Sequence, residues 1–157
     1  MNPSVEDRLA SAVRAIECVI LPALPADADL AREQAMLVMG HIQIVLAQLP
    51  ATPAFEAGEA ADLTRLACMV ADSAAGGTAT QSAVARLRSL DPSAAPPART
   101  ADAQDAIDAL LVALATDGKA DAVQRVHHMV LAHGADRADK DRRWFAAMGF
   151  DLDYSGA

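Results

Sequence analysis

Apolar residues recur every three or four positions along most of the chain, which is the spacing of one face of an α-helix. The first stripe of this kind consists of Val5, Leu9, Val13, Ile16 and Ile20. Ser4 precedes it and Asp7 follows three residues later, so we expect a side-chain cap and an acidic first turn. Pro22 then ends the helix near Leu21.

A second helix is predicted from Asp27 or Asp29 to about Leu49, and beyond its first turn it is apolar nearly all round. Helices of that kind lie in the middle of bundles, so we expect it to be buried on every side. Gly40 lowers helix propensity, and we interpret it as a position where another helix approaches closely.

Glycine and proline divide the rest of the chain into further helices. A third helix is predicted over 53–75 and ends at Gly76-Gly77, and a fourth starts at Thr78 or Thr80 and reaches about residue 90. Three prolines within 91–100 predict an extended connector.

After this connector, Thr100 is expected to cap a fifth helix that ends at Asp117-Gly118. A sixth helix is predicted over 119–133, with Gly134 as its C-terminal cap. The seventh covers 137–148 and stops at Gly149, and the tail 150–154 either docks as an extended segment or frays.

The predicted fold is therefore an all-α antiparallel bundle of six to seven helices. We expect one domain spanning residues 1–157, because the apolar second helix needs partners on all sides. Two lobes, 1–90 and 100–157, separated by the proline-rich connector 91–100, are the alternative.

Amino-acid composition adds expectations about the core, the fold class and the cysteines. Alanine accounts for 38 of the 157 residues, so the core is expected to be thin, with closely packed helices and little room for a large internal pocket. Strand-forming residues are scarce beside alanine and leucine, which excludes an all-β fold. Cys18 and Cys68 lie within apolar helical patterns and are expected to be buried free thiols of a reducing compartment.

The formal net charge is −8. No basic patch typical of nucleic-acid binding proteins is present, and binding to an anionic membrane surface is disfavoured for the same reason. The most apolar run is too short and too polar to span a bilayer, and the N-terminus lacks the pattern of a signal peptide. These features predict a cytoplasmic protein that binds neither nucleic acid nor membrane.

Histidines are the first candidates for chemistry. His41 lies in the segment expected to be most buried, and His127 on the apolar stripe of the sixth helix, so the two imidazoles are expected to meet if those helices pack together. The i, i+4 spacing that places two ligands on one helical face is missing. We therefore interpret His41, His127 and His128 as structural, with a metal or small-molecule site as the alternative, and expect His133 to stabilise a helix C-terminus.

Two rows of acids also occur on predicted helices. They are Glu56, Glu59 and Asp62 on the third, and Asp102, Asp105 and Asp108 on the fifth. Both are interpreted as solvated faces rather than as catalytic or cation-binding groups. No Gly-rich cofactor loop and no nucleophile–base pair are recognised, so we expect no cofactor.

The most distinctive segment precedes the C-terminus and combines dense mixed charge with the only tryptophan of the chain. Its cations and indole fit an anion or a protein partner, and the simpler alternative is a charged surface helix pinned to the bundle by its aromatic residues. The candidate binding residues are Arg137, Lys140, Arg142, Arg143 and Trp144.

Two stretches near the N-terminus and the helix after them are similar to a known family. They are Leu9-Ala-Ser-Ala-Val13, Val19-Ile-Leu-Pro-Ala-Leu24 and the apolar second helix with Ala35 and Val45. Over its first fifty residues or so, the chain resembles a family of small, uncharacterised, all-helical bacterial proteins. Their genes lie beside those of acyl-CoA dehydrogenases and aminoglycoside-phosphotransferase-like kinases. The resemblance implies a helical fold and no particular activity.

The leading functional prediction is a non-enzymatic interaction or accessory protein that binds a protein partner or itself. It depends mainly on the absence of catalytic motifs, and abundant alanine and methionine on the helices also suits helix–helix interfaces. The alternative is a helical bundle that binds a metal or small molecule around His41 and His127, either as a binding protein or as an enzyme.

Overall fold

The computed structural model describes residues 2–146, and of Ala146 only the backbone. All regular structure in this range is helical, which confirms the predicted all-α class. Six separate helices are present, because the first three helical segments run on without a break. The described chain divides into two compact units, the first ending at Pro53 and the second beginning at Ala54.

The first unit begins with α1 (Val5–Ala15), which continues through a π-helical segment (Ile16–Ile20) into the short α2 (Leu21–Ala23). The predicted cap is confirmed, since the Ser4 hydroxyl accepts a 3.0 Å hydrogen bond from the backbone N–H of Asp7. The Asp7 carboxylate in turn accepts from the backbone N–H of Ser4, which completes a capping box.

The next helix, α3 (Asp29–Gln48), packs against α1, yet none of its residues is buried. The expectation of burial on every side is therefore wrong. One face, formed by Ala35, Met39, Ile42 and Leu46, is half-buried, whereas Leu30 is 71% exposed and Leu37 50% exposed. A pattern that is apolar on all sides indicates that burial of the helix is favourable. It does not indicate whether the burying surface belongs to the same chain.

Two smaller expectations also fail. A Cβ placed on Gly40 would meet nothing within 4 Å, so this glycine does not mark a close helix approach. Cys18 and Cys68 are both exposed, not buried, because each lies on the outer side of its helix.

The second unit contains α4 (Thr52–Ser73, whose first two residues precede the unit), α5 (Thr78–Arg88), α6 (Pro96–Asp117) and α7 (Ala120–Ala146). At one end of α4, Phe55 stacks on Trp144 of α7, and near the other end Arg125 of α7 donates to the Ser73 carbonyl. These two helices are therefore antiparallel. The end of α6 likewise meets the start of α5, so the four helices alternate in direction.

Alanine forms a large part of the core of this unit, as the composition predicts. Eight of the sixteen apolar residues buried in its described part are alanine, whose small side chain allows neighbouring helices to approach. The largest fully buried apolar side chains are Leu110, Leu114, Val70 and Val126. Only one buried apolar residue, Val13, belongs to the described part of the first unit.

The proline-rich connector is shorter than predicted. Pro96 and Pro97 form the first turn of α6, so the helix has already begun when Thr100 is reached, and Thr100 is not its cap. Proline is tolerated in a first turn, because the missing N–H has no helical partner there. The remaining link lies inside the second unit, between the closely packed α5 and α6.

The predicted sixth and seventh helices are one helix. Gly134 lies inside α7, where a Cβ would meet nothing within 4 Å, so neither it nor His133 ends a helix. Contacts with α4 on both sides of this position hold the helix together in spite of the glycine. The predicted end at Gly149 and the tail 150–154 lie outside the described residues.

At one end of the second unit, the link between α4 and α5 crosses the link between α6 and α7 with almost no space between them. An isolated antiparallel bridge joins Gly76 to Gly118, and the Lys119 N–H donates to the Ala75 carbonyl over 2.8 Å. A Cβ on Gly118 would lie 2.5 Å from the Leu114 carbonyl oxygen, and one on Gly76 would lie 2.8 Å from the Asp117 carbonyl oxygen. Only glycine fits at this crossing.

The carboxylate of Asp117, at the end of α6, caps the N-terminus of α5. It accepts hydrogen bonds from the Thr80 hydroxyl at 2.6 Å and from the N–H groups of Ala79 and Thr80 at 2.8 and 3.1 Å. The bond from the Thr80 hydroxyl, opposed in part by desolvation and supported by the backbone N–H groups, lowers the pKa of Asp117 below its ordinary value.

This cap gives a pH-dependent contribution to stability. Because the pKa of Asp117 is lower in the folded chain, ionised Asp117 stabilises the fold above the ordinary carboxyl pKa of about 3.9. The contribution is lost as the pH falls through the folded-state pKa. We expect Asp117→Asn to lower the thermal midpoint near neutral pH, and the deficit to shrink below about pH 4.

The matched control is Asp108→Asn, which removes one exposed carboxylate from the same helix. Its deficit should stay near zero when midpoints are recorded by circular dichroism across the same pH series. A deficit of Asp117→Asn that stays constant from neutral to acidic pH would contradict the assigned role of the charge.

Candidate functional site

The histidines do not form a buried site. His41 is exposed on α3 of the first unit, and His127 and His128 are exposed on α7 of the second. The expected burial of His41 and His127 is therefore wrong. The inward stripe of α7 runs through Val126, Met129, Val130 and His133, one helical position away from His127.

No group of three or more His, Cys, Asp or Glu side chains within residues 2–146 is arranged to hold a metal ion. Within the same range, no single helix is both long enough and apolar enough to cross a membrane.

Acidic residues of α4 depart from the expected solvated face. Glu59 is only 7% exposed, and the side chain of Asp62 is 15% exposed. In contrast, Asp102, Asp105 and Asp108 of α6 are exposed as expected. Burial of a carboxylate is costly unless it is paired, so the partners of the two α4 acids are informative.

Those partners are two of the cations singled out in the sequence. Arg137 pairs with Glu59, and Lys140 pairs with Asp62, so that these four residues form an ionic cluster between α4 and α7. Arg137 also donates to the Asp141 carboxylate over 2.9 Å. The cluster neutralises its own charges, which supports the interpretation of α7 as a helix pinned to the bundle.

The aromatic pair extends the ionic cluster towards the start of α4. Phe55 and Trp144 are stacked with ring centroids 4.2 Å apart and an angle of 24° between their planes. The Arg137 guanidinium lies 5.9 Å from the Phe55 centroid, within the range of a cation–π contact.

The other two candidate cations differ from Arg137 and Lys140. Arg142 pairs with the exposed carboxylate of Asp139, with 62% of each side chain exposed. Arg143 donates through Nε to the backbone carbonyl of Asp139, and no carboxylate within residues 2–146 is paired with it. Four of the five predicted binding residues thus lie near one another, and Arg142 points to solvent.

A surface cavity of about 380 Å³ lies beside the aromatic pair, and we call it the aromatic pocket. The start of α4 forms one side of it and the end of α7 the other. Gly58 leaves space on the α4 side, since a Cβ there would meet nothing within 4 Å. The pocket is lined by Ala54, Phe55, Gly58, Glu59, Lys140, Arg143 and Trp144.

Sequence reasoning missed Phe55 and Gly58 as site residues and dismissed Glu59 and Asp62. One usable signal was present, because the two acids are three residues apart on one helix and Arg137 and Lys140 are three apart on another. Matched spacings of opposite charge favour pairing when two helices pack side by side.

A second candidate site is the outer face of α3. Leu30, Leu37 and Ile44 recur every seven residues, so they lie above one another about 10.5 Å apart along α3. Leu30 and Leu37 are exposed, whereas Ile44 is half-buried. We call these three residues the outer stripe. Val38 and Val45, 50% and 45% exposed, lie beside it. From Gln34 to Gln48 the helix carries no Asp, Glu, Lys or Arg.

The first unit as a whole is rich in exposed apolar side chains. Of the twelve large hydrophobic residues found exposed among the described residues, eight belong to this unit, although it is the smaller one. An apolar surface that is concentrated in one region marks an interaction site, whereas isolated exposed residues do not. The eight are Val5, Val19, Ile20, Leu30, Met36, Leu37, Val38 and Val45.

Known proteins give no further guide to either site. Comparison with protein-family models, with curated proteins and with solved structures found no match for this chain.

Proposed function

We propose that the protein acts by association, and that its first unit is a docking module that pairs with a second copy of the same unit. The observation that carries this proposal is α3, a helix of 20 residues with no buried residue and an apolar outer stripe.

The first unit has too little internal core to be stable without further burial. Val13 is its only buried apolar residue within the described range, whereas helices gain most of their stability from packing an apolar face. Units of about 50 residues depend on oligomerisation or similar supports when their cores are small. Pairing of outer stripes supplies the missing burial.

The outer stripe is symmetric about its middle residue, Leu37. In an antiparallel pair, Leu37 meets its own copy, and Leu30 of each copy meets Ile44 of the other. A two-fold axis through the interface requires this kind of self-complementarity. Ridges spaced by four or three residues allow such helices to approach to about 8–10 Å.

Charge favours the antiparallel arrangement over the parallel one. The charged residues of α3, Asp29, Arg32 and Glu33, all lie in its first turns with a net charge of −1, and no Asp, Glu, Lys or Arg follows from Gln34 onwards. A parallel pair would set each acid against its own copy, which is destabilising. An antiparallel pair sets them against the uncharged half of the partner.

The test compares two leucines of nearly equal exposure. Leu30 on the outer stripe is 71% exposed, and Leu131 on α7 is 72% exposed. We expect the wild-type chain, 16.3 kDa as a monomer, to show about twice that mass by light scattering at micromolar concentrations. Leu30→Glu should weaken the dimer about 100-fold or more, because symmetry places the buried charge in the interface twice.

Leu131→Glu is the control and should change the dissociation constant by no more than about twofold. Orientation is read from cysteine cross-linking in a chain with Cys18 and Cys68 replaced by serine. A mixture of Leu30→Cys and Ile44→Cys chains should cross-link, and Leu30→Cys alone should not. A wild-type monomer at every concentration, or equal effects of the two glutamate variants, would overturn the proposal.

A further inference from the structure

The aromatic pocket has a feature that neither the ionic cluster nor the association of the first unit uses. Its walls combine two aromatic rings with an open helical position at Gly58. A volume of about 380 Å³ lies at the lower end of the range for small-molecule sites. It suits a flat body of one or two rings beside Phe55 and Trp144.

The ion pairs beside the pocket cancel without involving Arg143. Arg137 pairs with Glu59 and Asp141, and Asp62 pairs with Lys140 and Arg65, so three positive charges meet three negative ones. The guanidinium of Arg143 remains, since its hydrogen bond goes to a neutral carbonyl group. Arginine presents several donors in one plane, which suits a carboxylate.

The start of α4 adds partial positive charge to the aromatic pocket. Ala54 and Phe55 belong to its first turn and line the pocket. The first N–H groups of a helix have no intrahelical partner, and the helix dipole places a partial positive charge at this end. A cation and a helix N-terminus therefore meet beside an aromatic wall.

We propose that the aromatic pocket binds a small aromatic monocarboxylate, with its ring against Phe55 and Trp144 and its carboxylate at Arg143. The ring is held by apolar and stacking contacts, which are favourable for aromatic pairs. The carboxylate is held by charge-assisted hydrogen bonds from the guanidinium. Gly58 makes room for the ring.

The single tryptophan permits a direct test on the full-length chain. Trp144 gives the only indole N–H signal of the protein in a proton–nitrogen correlation spectrum. We expect 2-naphthoate to shift this signal saturably, with a dissociation constant on the order of 0.1–1 mM for a ligand of this size. The neutral isostere 2-naphthamide should bind about tenfold more weakly.

Two variants separate the roles of space and charge. Gly58→Leu fills the pocket and should abolish the shift, and it should fold, because the added Cβ meets nothing within 4 Å. Gly134→Leu places the same side chain at an open position of α7 as its control. Arg143→Gln should weaken naphthoate about tenfold and leave naphthamide unchanged, while Arg86→Gln on α5 changes neither.

Three results would overturn the assignment. They are equal affinity for naphthoate and naphthamide, saturable binding to Gly58→Leu that matches wild type, and no saturable shift of the Trp144 signal at all. None of these results depends on the dimer, so failure here and failure of the association through α3 can be told apart.

Discussion

Gly118→Ala should lower the free energy of unfolding by about 2–3 kcal/mol, the cost of forcing extra volume into a closely packed place. The added methyl group would lie 2.5 Å from the Leu114 carbonyl oxygen and 2.9 Å from its Cα. Both are backbone atoms of a residue that is only 2% exposed, so neither moves without distorting the end of α6. Urea unfolding followed by circular dichroism measures the change.

Gly134→Ala is the matched control, and it should change the free energy of unfolding in the opposite direction. Gly134 lies inside α7 with no atom near its missing Cβ, and alanine in a helix interior is better than glycine by about 0.5–1 kcal/mol. We expect this variant to be more stable than wild type. Should Gly118→Ala also be stabilising, the tight crossing at Gly76 and Gly118 would be refuted.

Arg137→Met should lower the free energy of unfolding by about 2–4 kcal/mol. The substitution keeps the apolar stem of the side chain but leaves Glu59, which is 7% exposed, without its counter-charge. A buried charge without a partner is among the most destabilising single changes in a folded protein. The measurement is again the urea midpoint at neutral pH.

Two further variants give this prediction its controls. Arg142→Met breaks an ion pair in which each side chain is 62% exposed, and exposed pairs contribute at most about 1 kcal/mol. Glu59→Leu combined with Arg137→Met removes both buried charges and should restore most of the stability. A loss for Arg137→Met no greater than that for Arg142→Met would show that the pair is not structurally important.

Local signals in the sequence predicted the elements of the fold. The capping box at Ser4 and the glycine pair at 76 and 77 act over a few residues, so the sequence around them is sufficient to place a helix end. The all-α class follows from the same short-range patterns. The structure departs from the prediction at Pro96 and Gly134, because proline and glycine can either end a helix or lie within one.

Both ambiguous residues were interpreted as breaks and proved to be helical. Pro96 stands in a first turn, where proline is well tolerated. Gly134 is held inside α7 by contacts with α4 on either side, and such contacts override the low propensity of glycine. Neither outcome is encoded within a few residues of the position concerned.

Burial and the candidate sites were harder to predict, because they depend on distant residues. The partners of the ionic cluster are separated by 78 residues in the case of Asp62 and Lys140, and the matched spacing of the two pairs does not by itself show that their helices are neighbours. For α3, the pattern correctly shows a helix without a broad polar face. It does not indicate whether the surface that covers the helix belongs to the same chain.

The separation of 78 residues within the ionic cluster also bears on how the second unit is made. During synthesis α4 leaves the ribosome long before Arg137 exists, so for that interval Glu59 has no counter-charge from α7, whereas Asp62 already has Arg65 on its own helix. Burying Glu59 early would be costly, and long-range contacts form slowly in any case. We therefore expect the part of α4 around Glu59 to stay hydrated until α7 has been translated.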